Sequence, residues 1–160
     1  MKTKTLFSEI QWGLKNWVLS VVVIFIMTPV CIYLSFQMTK VAGLEQIILL
    51  CTLTFHIALC LFFIFIKLKI EVTQEEIKYQ LFPFHFSTQT LSKNEIIKIE
   101  NVIYNPIGEW GGWGIRRDFK GNKAYNMYGN KGVKVTLQSG KIILFGSQKP
   151  NEFYDAILKK

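Results

Sequence analysis

From Trp17 to Phe36 the chain reads WVLSVVVIFIMTPVCIYLSF, a run of 20 residues without a charge, and no other feature narrows its folding options as much. A second run, Leu44–Ile66, has the same character with Glu45 at its edge. A bilayer core takes about 20 apolar residues per helix. The two runs therefore predict a transmembrane hairpin, 17–36 and 44–66, turned by Gln37–Gly43. The first run is too long for a leader's apolar region, lacks a small-x-small cleavage signal and is closely followed by the second, so it is read as retained. Lys2, Lys4 and Lys15 precede the first run, Lys67 and Lys69 follow the second, and the connection offers Lys40. The positive-inside rule then places both termini in the cytoplasm. Trp12 and Trp17 suit the interfacial belt, and Pro29 predicts a bend.

Charge divides the chain further. Residues 1–16 read as a short cytoplasmic segment, 17–66 as the hairpin, and 67–160 as a soluble domain holding most of the charges. Cys31, Cys51 and Cys60 all fall in the apolar half, at spacings that match no zinc pattern. A soluble part without cysteines favours a reducing compartment.

Polar residues within the runs align. Ser20, Thr28, Cys31 and Ser35 share one helical face, as do Thr52, His56 and Cys60 at four-residue steps. Small and hydroxylated residues let helices approach and share hydrogen bonds, so helix packing is one reading. The other makes His56 a proton relay or ligand in a small transporter or pore subunit, although no carboxylate partners it.

From Lys67 the period changes to two. KLKIEV and IKYQLF alternate apolar and charged or polar residues, as half-buried strands do. IIKIENVIY, residues near 115–118 and 123–128, VKVTL and IILF read as further strands. GNKG supplies the backbone freedom of a hairpin turn. Pro150 opens a helix with Phe153, Ala156 and Ile157 on one face. The expected architecture is six to seven antiparallel strands in a curved sheet or barrel, capped by this C-terminal helix.

The stretch VTQEEIKYQ…LSKNEIIKIENV resembles the opening of bacterial pleckstrin-homology-like domains. GGWGIRR…KAYNMYGNKGVKVTLQSGKIILFGSQKP resembles small bacterial membrane proteins of unknown function that pair two spans with such a domain. The resemblance covers Leu44 to the C-terminus. It implies a PH-like fold and a multi-pass protein of the bacterial cytoplasmic membrane, but no substrate, because the fold serves many binding roles.

The least ordinary segment is EWGGWGIRR. Trp110, Gly111, Gly112, Trp113, Gly114, Arg116 and Arg117 combine glycines, which permit unusual backbone angles, with the residue types that dominate binding hot spots. Either Trp113 folds back onto the domain, or it is an anchor that meets a protein partner, a second copy or the headgroup layer, with Arg116 and Arg117 reaching acidic groups. Arg116, Arg117, Lys120, Lys123, Lys131 and Lys134 form a basic set on adjoining hairpins. They read as a solvated basic face or as a surface for anionic phospholipid headgroups. Nucleic-acid binding lacks a stacked-aromatic groove. His85 has no base–nucleophile–carboxylate spacing around it, so no catalytic residue, metal or cofactor is expected. The expectation is a non-enzymatic binding or scaffold module anchored at the membrane.

Overall fold

The computed structural model describes residues 4–15, 28–37 and 44–159. The chain divides into two compact units, one of Met1–Gly13 with Ile66–Lys160 and one of Leu14–Phe65.

In the β unit, strand β1 is Phe7–Trp12. In the helical unit, α1 is Thr28–Gln37 and α2 is Leu44–Phe65, and the two contact each other. Thr28 and Cys31 lie in α1, and the Thr52 hydroxyl donates to the Ile48 carbonyl at 2.8 Å within α2. Ser20 and the side chains of Ser35, His56 and Cys60 lie outside the described residues.

The two-span hairpin is corrected here. Among the described residues no helix is long and apolar enough to cross a membrane. The integral two-span partnership with a membrane and the multi-pass location with cytoplasmic termini are corrected with it.

The β unit continues with β2 (Lys67–Val72), β3 (Glu76–Phe82), β4 (Gln89–Ser92), β5 (Ile96–Ile103), a short helix α3 (Pro106–Trp110), β6 (Gly114–Arg117), β7 (Lys123–Asn126), β8 (Lys131–Leu137), β9 (Ile142–Gly146) and helix α4 (Pro150–Leu158). The expected single curved sheet or barrel of six to seven antiparallel strands is also corrected. Among the described residues nine strands form two sheets, ordered β1-β2-β3-β4 and β5-β8-β9-β7-β6, and the β7–β9 pair is parallel.

Local pattern explains most of these strands. In β2 and β3 every second residue is buried: Leu68, Ile70, Val72, Ile77, Tyr79 and Leu81 face the core. Val133 and Val135 of β8 and Ile143 and Phe145 of β9, paired on one face of their sheet, supply the other side. Aromatic rings run between the two layers. Tyr79 packs on Tyr125 at 4.7 Å and on Phe145 at 5.1 Å between centroids. Phe153 of α4 meets Phe145 at 5.9 Å and stacks on Phe7 of β1 at 5.2 Å. The Lys93 ammonium donates to the carbonyls of Ala156 and Lys159 at 2.9 and 2.8 Å. A cation there complements the negative end of the α4 dipole.

Strand β1 obeys a different rule. Its buried residues are Phe7, Glu9 and Gln11, while Ile10 and Trp12 are exposed. It pairs antiparallel with β2, from Phe7 opposite Val72 to Trp12 opposite Lys67. The Gly13 amide donates to the Ile66 carbonyl at 2.9 Å, so the chain leaves and re-enters this unit at neighbouring points. Glu9 accepts from the Ser147 hydroxyl at 2.6 Å and the Gln148 amide at 2.8 Å, and Gln11 donates to the Gly146 carbonyl at 2.7 Å.

Phe153 is fully buried between β1 and β9. Phe153→Ala is expected to lower the stability of the β unit by about 3–5 kcal/mol, read from urea unfolding. A loss below about 1 kcal/mol would show that α4 does not seal the core.

Candidate functional site

The tryptophan-glycine segment is built from both ends. Asn105 caps α3 by accepting from the Gly108 amide at 3.0 Å, and Glu109 reaches back to the Asn105 amide at 2.8 Å. The helix stops at Gly111, whose φ of 70° is left-handed. The Gly111 and Gly112 amides donate to the carbonyls of Ile107 and Pro106, a glycine-terminated helix end. Trp110 packs against the buried cluster of Tyr104, Ala124 and Leu144. The Trp113 indole N–H donates to the Gly129 carbonyl at 3.1 Å. The Gly114 amide donates to Asn126, whose own amide donates to the Tyr104 hydroxyl at 3.1 Å. The two tryptophans and three glycines therefore make a turn that clips onto β7 and the β7–β8 connection. Arg116 lies over Gly112, where a Cβ would sit 3.0 Å from a guanidinium nitrogen.

Past β6 the surface changes character. Asp118 organises the turn to β7: Oδ1 accepts from the amides of Lys120 and Asn122 at 2.9 and 2.8 Å, and Oδ2 from the Asn122 side chain at 2.7 Å. The desolvation that would raise its carboxyl is outweighed by these hydrogen bonds, which hold it below the usual carboxylate range. Asn122 then accepts from the Ile142 amide at 2.8 Å, which fixes the turn to β9. At the tip of this braced turn Phe119 is fully exposed.

The basic set separates in space. Arg116, Arg117, Lys120 and Lys123 stay on the β6–β7 hairpin, with Arg117 opposite Lys123. Lys134 is held by Glu100 at 3.1 Å, together with Lys98 at 3.0 Å, and these ammonium groups hold the Glu100 carboxyl low. Lys131 lines a different cleft, beside Ile103 and Pro150. Arg117 and Lys123 instead line a cleft of about 200 Å³ that also takes in Lys141, above Leu137, Ile142 and Ile143. Phe119 and Lys141 were missed in the sequence because neither carries a motif.

His85 stands behind this surface. Its Nδ1 accepts from the Leu81 amide at 3.3 Å, and its ring meets Tyr125 at 5.6 Å and Tyr79 at 6.2 Å. Burial first, and then the Lys123 charge, push its pKa below the ordinary value. Burial, then the neighbouring Tyr79, push the Tyr125 hydroxyl well above the usual range. No group of three or more His, Cys, Asp or Glu that could hold a metal ion occurs among the described residues.

No family model matches this chain, and neither a curated protein nor a solved structure matches it. The resemblance to bacterial PH-like domains with a two-helix membrane hairpin is corrected accordingly: no family supports it, and no such hairpin is found among the described helices.

Because the folded pKa of His85 is lowered, the unfolded chain binds more protons as pH falls. Its contribution should therefore be fully present above the unfolded value of about 6.5 and be lost as pH falls below it. Lys123→Gln should raise the His85 titration midpoint, followed by proton NMR, and burial should keep it below the free value. A midpoint that fell, or did not move, would contradict the proximity of Lys123.

Proposed function

We propose that the β unit is a non-catalytic binding module that docks on anionic phospholipid headgroups through the β6–β7 turn. The observation that carries this reading is Phe119, a fully exposed aromatic on a turn fixed by Asp118 and Asn122, with Arg116, Arg117, Lys120 and Lys123 beside it. Phe119 is set apart from the other exposed apolar residues by the four cations on its own hairpin. Burying it in a headgroup layer is worth about 2 kcal/mol, and each cation beside an anionic surface adds about 1 kcal/mol. A tip of this kind both inserts and attracts.

The tryptophan-glycine segment supports a protein-docking or self-associating module less well. Trp110 packs on Tyr104, Ala124 and Leu144, and the Trp113 indole is tied to Gly129, so both rings serve the turn itself. A transporter or pore subunit needs the membrane hairpin that the described helices do not form.

The test is co-flotation of the full chain with vesicles of phosphatidylcholine alone or mixed with phosphatidylglycerol. The neutral vesicles account for whatever the apolar helices contribute. Binding should be stronger to anionic vesicles and weaken as salt shortens the Debye length. Phe119→Ala should weaken the anionic preference by about tenfold or more, and Arg116→Gln with Lys120→Gln, which removes two of the four cations, should reduce the salt dependence by about half. Equal binding to both vesicle types would sink the proposal.

A further inference from the structure

We propose that the cleft between the β6–β7 hairpin and the β8–β9 turn is a binding site for a phosphate group, held by Arg117, Lys123 and Lys141. This deepens the docking reading, which supplies one source of the phosphate, but the site stands on its own residues.

Three cations from three places in the chain meet in one cleft of about 200 Å³. Pairing explains how. Arg117 of β6 lies opposite Lys123 of β7, Lys123 lies beside Ile143 in the parallel β7–β9 pair, and Lys141 directly precedes β9. Among the described residues no carboxylate lines the cleft. The nearest acid in sequence, Asp118, is engaged by the Lys120 and Asn122 amides and the Asn122 side chain. The ion pairs found among the described residues involve none of the three.

Like charges brought together without a counter-ion repel, so the arrangement favours an anion that neutralises more than one of them. Leu137, Ile142 and Ile143 give the cleft an apolar floor, and a less polar surrounding strengthens each ionic hydrogen bond. The planar guanidinium of an arginine matches two phosphate oxygens at once, while lysines add point charges.

The experiment is equilibrium dialysis of the full chain against radiolabelled inorganic phosphate, with ionic strength held by chloride. Saturable binding of one phosphate per chain is expected. Arg117→Gln and Lys141→Gln should each weaken it about tenfold, and Lys131→Gln, in the other cleft, should leave it unchanged. All three side chains are exposed, so these variants keep the fold. Non-saturable uptake, or equal binding by all variants, overturns the site.

A second arm separates the sources. Vesicles containing phosphatidic acid should compete with free phosphate in the unsubstituted protein, which shows that one cleft takes either. Loss of vesicle binding in Phe119→Ala with phosphate binding retained supports the site and isolates docking as a separate property. Anionic-vesicle binding without saturable phosphate binding overturns the site and leaves docking in place.

Discussion

The β unit is closed by two polar side chains of its first strand. Glu9 and Gln11 point inward from β1 and bind the end of β9 and the chain just after it, through the Gly146 carbonyl, Ser147 and Gln148. Burying a carboxylate is costly unless its oxygens are hydrogen-bonded, and both oxygens of Glu9 are. Gln11 Oε1 finds no hydrogen-bond partner among the described residues, so the closure carries a cost that packing around Phe7 and Phe153 must offset. Because β1 belongs to one sheet and β9 to the other, these bonds join the two layers at the point where the chain enters the unit.

The surface assigned to binding rests on that frame. Phe145 of β9 contacts Tyr79, Tyr125 and Phe153, and Tyr125 carries the contact on to His85. Tyr125 lies two residues after Lys123 on β7, so the strand that presents the basic cleft is anchored by the same aromatic layer. Gly146 shows how tightly this region is built: an added Cβ would lie 2.7 Å from that of Asn126 and 3.0 Å from the Tyr104 hydroxyl. Asn126 in turn holds Gly114, so close packing and a hydrogen bond tie β9, β7 and the tryptophan-glycine turn together.

Strands whose sides differ in polarity were legible in the sequence. KLKIEV, IKYQLF and VKVTL alternate, and each forms a strand with its apolar side buried; Pro150 opens α4 with Phe153, Ala156 and Ile157 inward. Strand β1 was not legible, because FSEIQW buries Glu9 and Gln11 and exposes Ile10 and Trp12. The split into two sheets and the parallel β7–β9 pair were also hidden, since alternation fixes which side a residue faces but not which strand it joins. The long apolar runs promised two membrane helices, and no described helix meets that requirement. For the site, composition drew attention to Trp110 and Trp113, which the fold uses internally. Pairing brought in Lys141, eighteen positions beyond Lys123, and took Lys134 away to Glu100.

The β6–β7 turn is the part of the β unit proposed to meet an anionic surface. Hydrogen–deuterium exchange of the full chain, with neutral and with anionic vesicles, tests it most directly. The account predicts that anionic vesicles slow exchange across Arg116–Lys123 and the Lys141 turn, relative to neutral vesicles, while β5 and α4 are unchanged. Unaltered exchange at the turn, with protection on β5 instead, would contradict it.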